Sequence, residues 1–330
     1  MITGTVRELR VESQILKGNP LGDPDVRGVP IYLPPVESSE GLPLVAVLAG
    51  YTGIGAGQLY GTPWDPSFLD RYEMLFDRGE VSPCAFFFPD CFTRLGGSQY
   101  MNSSATGLYR DHLIEEVLPL VEEATGAGGE RDRRGVMGKS SGGYGSFHLC
   151  FEHPDLFSAV VSHSGDAGFD LCYRPDFGHL LEQIESHGGV EEFVEAFEES
   201  PQKTTPLILA MGVLAMSSAY SPDSGEPLGI ALPFEPRTGR FRPEVWDRWM
   251  AWDPVTLATE KGDVLKDFHL VFVDCGTRDE YQLQYGARQL VAALKERGVA
   301  VQHEEFDDGH RGIGYRVETS LPLITAALSL

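Results

Sequence analysis

Short apolar runs alternate along this chain with longer segments whose apolar residues recur every three or four positions. The short runs are apolar throughout and read as strands buried on both faces, while the one-sided segments read as helices that cover them. Residues 4–13 and 26–33 open the chain as two strands. The loop between them holds Gly18-Asn19-Pro20 and Gly22-Asp23-Pro24, which suits an antiparallel start. Residues 42–48 and 84–88 are continuously apolar strands. After Asn102-Ser103-Ser104 the spacing predicts a helix of roughly twenty residues through Thr125, with Leu113, Val117, Leu120 and Val121 on one face. A strand at 134–137, a helix at 144–151 and a strand at 157–162 follow. The same order resumes later with a strand at 268–273, a helix at 282–297, a strand at 299–306 and a helix from Gly314. The pattern predicts an α/β fold, a three-layer αβα sandwich with a mostly parallel central sheet.

The alternation breaks between residues 168 and 254. Helices are predicted at 177–186 and 190–199, followed by a stretch rich in Pro and Gly. The aromatic run Val245-Trp246-Asp247-Arg248-Trp249-Met250-Ala251-Trp252 then holds three of the four tryptophans. Core order resumes on both sides and no repeat divides the chain. One domain over 1–330 with a cap inserted at 168–254 therefore fits better than two domains. Trp246 and Trp249 are candidates for the wall of a substrate pocket beneath that cap.

Composition narrows the partners. The 330 residues carry 49 acidic against 26 basic side chains, a formal net charge of -23. Such a surface repels phosphate backbones and anionic lipid, which argues against nucleic acid and membranes. Cys84, Cys91, Cys150, Cys172 and Cys275 are odd in number and lack paired metal-ligand spacing, so neither a metal nor another cofactor is expected. The N-terminus alternates like a strand and has no basic stretch leading into an apolar run. No apolar segment reaches the roughly 18 residues of a membrane span. A cytoplasmic location is the expectation.

Candidate chemistry centres on Gly138-Lys139-Ser140-Ser141-Gly142-Gly143. Gly-Lys-Ser resembles the end of a phosphate-binding loop, but that loop needs a Gly five positions before Gly138, and Arg133 stands there in a strand-like segment. Gly-x-Ser-x-Gly between a strand and a helix has a better physical reading. It is a tight elbow that lifts the Ser140 hydroxyl out of the sheet edge, with small residues where a Cβ would collide. The helix N-terminus beyond favours negative charge developing near Ser140.

A serine nucleophile needs a base, and the base needs a carboxylate to hold its tautomer. His310 lies in Asp307-Asp308-Gly309-His310-Arg311-Gly312, a polar loop directly after the last predicted strand, where the base belongs. His112 and His148 lie on helices, His153 precedes a proline, and His269 and His303 border or occupy strands, so these read as structural. His163 ends a strand and is a candidate pocket residue. The acid should follow the strand 268–273. Asp279 is preferred to Asp274 because a loop residue beyond Gly276 has more freedom to reach His310, and Glu280 ranks third. The oxyanion needs two N–H donors. Ser141 supplies one, and the glycine-rich loop Ala49-Gly50-Tyr51-Thr52-Gly53 supplies the other through Tyr51, with Thr52 as fallback and pocket neighbour.

These pieces together resemble the putative-esterase family of α/β-hydrolases, which includes esterase D (S-formylglutathione hydrolase), enterochelin esterases and mycolyltransferases. The similar segments are Ile31-Tyr32-Leu33-Pro34-Pro35, Leu48-Ala49-Gly50-Tyr51, Pro89-Asp90, and Asn102-Ser103-Ser104 with Gly107-Leu108-Tyr109-Arg110-Asp111 and Glu115-Glu116. The elbow, Gly276-Thr277-Arg278-Asp279 and Gly309-His310 complete them. The resemblance implies an α/β-hydrolase fold, a Ser140–His310–Asp279 triad, an acyl-enzyme intermediate and a small-molecule ester as partner, with a homodimer common among relatives. Two departures stand out: Lys139 replaces a histidine found in many relatives, and no tryptophan follows His310 closely. The function expected is hydrolysis of short to medium acyl or aryl carboxylic esters. A peptidase or acyltransferase using the same triad, a siderophore-ester hydrolase, and a non-catalytic binding protein on this fold are the alternatives. The negative charge weighs against anionic siderophore complexes.

Overall fold

The computed structural model describes residues 2–330. Eight strands form the central sheet: β1 (Thr5–Glu12), β2 (Val26–Leu33), β3 (Leu44–Leu48), β4 (Ala85–Phe87), β5 (Arg134–Lys139), β6 (Ala159–His163), β7 (Leu270–Gly276) and β8 (Gln302–Phe306). Their order is β1-β2-β4-β3-β5-β6-β7-β8. β2 runs antiparallel to both β1 and β4, and every pairing from β4 to β8 is parallel. This is the α/β-hydrolase arrangement, with the parallel part of the sheet buried on both faces.

The two faces can be read residue by residue, because successive side chains in a strand point to opposite sides. Leu44, Ala46 and Leu48 of β3, Val160 of β6 and Val271 and Val273 of β7 pack on one side. There they meet Val121 of α2 (Leu118–Thr125), Phe147 of α3 (Ser141–Glu152) and residues of two later helices introduced below. Val45, Val47, Ala159, Val161, Leu270 and Phe272 pack on the other side. Their partners are Phe68, Leu69 and Tyr72 of α1 (Phe68–Asp77) and, from the C-terminal helix, Leu321 and Ile324. α1 begins on a capping box: Ser67 Oγ accepts from the Asp70 N–H, and the Asp70 carboxylate accepts from the Ser67 N–H. α2 is led in by a wider π-type turn over His112–Val117.

The segment 168–254 folds as α4 (Phe177–His187), α5 (Val190–Glu199), α6 (Thr205–Tyr220) and α7 (Pro243–Met250). The chain then continues through α8 (Pro254–Lys261), α9 (Leu283–Glu296) and α10 (Val317–Ala327). Leu257 of α8 and Leu290 of α9 complete the first face, while α10 is the C-terminal helix of the second. α6 carries no periodic signal in the sequence because it is apolar all round, and most of its last two-thirds is buried. The aromatic residues of this segment are packed inward: Phe177, Trp246 and Trp249 cluster with Tyr173 and Tyr220. They join the same apolar core as β5 and β6 rather than forming a separate one.

Asp253 fastens the two ends of the segment. Its buried carboxylate accepts from the Gly168 N–H (3.0 Å), the Phe169 N–H (2.8 Å) and, as the cap of α8, the Val255 N–H (3.0 Å). Replacing it with alanine strands three backbone donors away from water. Asp253→Ala is expected to lower stability by about 3 kcal/mol in urea denaturation, with Asp253→Asn recovering part of the loss.

Candidate functional site

The parallel strands β5, β6, β7 and β8 all point their C-terminal ends to one edge of the sheet, and the chemistry-bearing residues gather there. Ser140 stands between β5 and α3 with φ 57° and ψ -127°, a strained conformation for a residue with a side chain. Its N–H donates to His163 O (3.0 Å) and its carbonyl accepts from the Tyr144 N–H (2.9 Å), so the turn is clamped on both sides. The elbow glycines are there for space. A Cβ on Gly138 would lie 2.4 Å from the Gly142 carbonyl carbon, and one on Gly142 would lie 2.2 Å from Leu48 O. Gly142→Ala would push α3 off the end of β3 and disturb the loop that begins at Ala49. It is expected to lower thermal stability and to slow covalent labelling of Ser140 by a fluorophosphonate.

His310 and Asp279 come from the loops after β8 and β7. His310 Nδ1 and Asp279 Oδ2 are 2.8 Å apart, and Asp279 Oδ1 accepts from the Tyr281 N–H (2.9 Å). That pairing fixes the imidazole tautomer and leaves Nε2 with no protein partner among the described residues. The Tyr281 ring stands edge-on to the imidazole at 4.9 Å between centroids. Glu280 does not orient the ring; it accepts from the His310 backbone N–H at 2.6 Å and holds the loop. The two loops cross at Gly276, where a Cβ would lie 2.4 Å from Asp308 O.

Asp274 is placed elsewhere. It shares a face of β7 with Leu270 and Phe272, so its side chain enters the layer under α10. There it pairs with His163 Nδ1 (2.7 Å) and accepts from Arg316 Nε (2.8 Å), and His163 Nε2 meets Ser320 Oγ (2.8 Å). All of Asp274, His163 and Ser320 are buried. His163, expected as a pocket residue, is therefore a structural link on the far face of the sheet. Trp246 and Trp249, expected in the pocket wall, are core residues: Trp249 Nε1 donates to Ser221 Oγ (2.9 Å), and neither lines the cavity.

Ser140 and His310 open onto one cavity of about 710 Å³. Among the described residues no hydrogen bond joins the Ser140 hydroxyl to the His310 ring. The loop Gly50–Gly53 lies over Ser140, with Gly50 close enough that a Cβ there would touch the Ser140 Cβ at 3.5 Å. Tyr51, Thr52 and Ser141 line the cavity, and no protein acceptor takes the N–H of Tyr51 or of Ser141 among the described residues. The Tyr51 side chain is held away by its hydroxyl on Leu95 O (3.0 Å). Lys139 lines the cavity without an ion-pair partner among the described residues, and burial lowers the pKa of its ammonium.

Two parts of the wall have no counterpart in the sequence reading. One is α6, which contributes Ile208, Leu209, Val213 and Met216. The other is Asp166, a buried carboxylate beside Ser140. Ser140 Oγ lies 3.4 Å from Asp166 Oδ1, and burial raises this carboxyl's pKa. Its only sequence signal is position, three residues beyond His163 and the end of β6, at the same sheet edge as the loops that carry Asp279 and His310.

Comparison with known proteins follows this geometry. The profile of the family described as Putative esterase matches residues 24–318. A solved ferulic acid esterase superposes with a TM-score of 0.64 at 16% identity, covering 99% of this chain and 100% of its own. An S-formylglutathione hydrolase from Agrobacterium tumefaciens does so at 0.55 and 14%, covering 100% and 96%. An enterochelin esterase from Shigella flexneri does so at 0.53 and 17%, covering 97% and 57%. At these identities the likeness is one of fold. No curated protein matches the sequence.

Proposed function

Because the chain belongs to the putative-esterase family and is a carboxylic ester hydrolase, we propose that it works through a serine nucleophile and an acyl-enzyme intermediate. Ser140 Oγ attacks the ester carbonyl carbon while its proton passes to His310 Nε2. The C–O bond to the alcohol breaks, and that oxygen leaves with the proton from Nε2. Water then attacks the acyl-serine, giving a proton to Nε2, and the carboxylic acid departs as Ser140 recovers its proton. Asp279 holds the imidazole tautomer and stabilises the imidazolium. The N–H groups of Tyr51 and Ser141 receive the oxyanion, each worth about 3–4 kcal/mol in the transition state.

The observation that carries this reading is the Asp279–His310 pair at 2.8 Å sharing one cavity with a serine held in a strained elbow. The open Ser140–His310 gap agrees with it, since catalytic hydrogen bonds often tighten only when substrate binds. The cavity volume and its largely apolar lining suit short to medium acyl or aryl esters. Labelling with a fluorophosphonate followed by peptide mass analysis tests the assignment: the adduct is expected on Ser140 alone. An adduct on another serine, or none on an enzyme that still turns over ester, would overturn it.

A further inference from the structure

The fold uses the two oxygens of Asp166 unequally. Oδ2 accepts three hydrogen bonds, from Tyr173 Oη (2.8 Å), Ser141 Oγ (2.9 Å) and Gln99 Nε2 (3.3 Å). Oδ1 has one long contact, the Ser140 hydroxyl at 3.4 Å. That donor is withdrawn when the Ser140 proton turns to His310, which leaves Oδ1 facing the cavity with no protein partner among the described residues. Asp166 is only 6% exposed, so an idle carboxylate oxygen there is costly. Gln99, which donates to Oδ2, has φ 55°, and Ser164, two residues before Asp166, has φ 43°, both in the left-handed region. A group arriving in the cavity with a hydrogen to donate would satisfy Oδ1.

The position of Asp166 says which half of an ester that group belongs to. His310 must hand its proton to the leaving oxygen, so the alcohol half lies toward His310 and the exposed Arg311 and Thr52. Asp166 is buried, accepts from Tyr173 Oη at 2.8 Å and lines the cavity along with the buried Cys172, Val213 and Met216, and this water-poor lining suits the acyl half. The acyl carbon bonds to Ser140 Oγ, and Oδ1 is 3.4 Å from that oxygen, so the next two acyl carbons pass within its reach. An ionised Asp166 with nothing between also opposes the oxyanion electrostatically, and a donor placed there relieves that repulsion.

We propose that Asp166 Oδ1 selects acyl groups that carry a hydrogen-bond donor, a hydroxyl or an ammonium, on carbon 2 or 3 of the acyl chain. This specificity rests on Ser140 being the nucleophile. The test compares kcat/KM for p-nitrophenyl butyrate with the 2- and 3-hydroxybutyrate, 2- and 3-aminobutyrate and 3-oxobutyrate esters, each corrected for buffer hydrolysis. At least one donor-bearing ester is expected to exceed butyrate by about 10- to 100-fold, while the 3-oxo ester, an acceptor at the same place, gains nothing. Comparing the hydroxy and amino arms identifies the donor. In Asp166→Asn the three donors at Oδ2 hold the amide oxygen on that side and turn the NH2 into the cavity. The preference is then expected to invert toward the 3-oxo ester. The readout is a ratio within one enzyme, so a loss of overall rate in the variant does not obscure it. Wild-type ratios within twofold of one overturn the inference without any variant, and so does an unchanged ratio in Asp166→Asn. Flat ratios with Ser140 labelled by fluorophosphonate sink this specificity alone, whereas ester turnover with Ser140 unlabelled sinks the nucleophile assignment beneath it.

Discussion

Ser140→Ala is expected to lower kcat for p-nitrophenyl acetate by about 10⁴- to 10⁶-fold and to abolish fluorophosphonate labelling, with the thermal midpoint close to wild type. The size follows from the proposed role of Ser140 in forming the covalent bond, since a catalytic triad acts as a unit and losing its nucleophile costs nearly as much as losing all of it. The residual rate should reflect the Tyr51 and Ser141 donors and ester binding alone. Stability should hold because the hydroxyl makes one long hydrogen bond, to Asp166, while the backbone clamp to His163 and Tyr144 does not involve it. A variant that keeps wild-type turnover would place the chemistry elsewhere.

The second large effect separates two aspartates only five positions apart. Asp279→Asn should cut kcat by about 10⁴-fold with little change in stability, because the amide holds the imidazole in the wrong tautomer. Asp274→Asn should do the reverse. It removes the carboxylate charge that Arg316 meets in the buried layer, although Arg316 keeps Glu304, and weakens the link through His163 to Ser320, so unfolding should cost about 1–3 kcal/mol less. Its kcat per fluorophosphonate-titrated site should stay within about threefold of wild type. Chemical denaturation and active-site titration on the two purified variants read both quantities. If the pattern is exchanged between the two positions, the acid has been misassigned.

The division between these aspartates shows how far the pattern along the chain reaches. Asp274 continues the alternation of Leu270 and Phe272 and so faces α10, a conclusion already contained in the period of two. The looser reasoning from loop freedom reached the same preference for Asp279 without giving Asp274 a role. Strand positions, the elbow at Ser140 and the loop carrying His310 were legible because each depends on local spacing: an apolar run, a glycine pair, a turn after a strand. α5 was predicted at its observed bounds, Val190–Glu199, for the same reason, since its apolar residues recur with helical period.

The segment 168–254 was less legible. α6 is apolar on every side, so it has no amphipathic period to detect. α7, and outside the segment α1 and α8, also carried no prediction, although the apolar residues of α1 and α7 do gather on one face. Trp246 and Trp249 looked like pocket residues because large aromatics serve equally well in a pocket wall or a core. Which they occupy depends on the partners brought to them, here Tyr173, Tyr220 and Phe177.

By itself the sequence determined the layered α/β architecture, the glycine-flanked turn at Ser140 between a strand and a helix, and the polar loop that carries His310 after the last strand. Those features follow from interactions between residues close in sequence. Only the tertiary structure decided that Asp279 rather than Glu280 meets the His310 ring, that His163 belongs to the opposite face, that α6 walls the cavity and that Asp166 lies beside Ser140. Each of these joins residues 26 to 157 positions apart, through hydrogen bonds such as Ser140 to Asp166 and His163 to Ser320, or through shared walls of one cavity. Such contacts leave no periodic trace in the chain, because the sheet edge that gathers them exists only once β5 to β8 have paired.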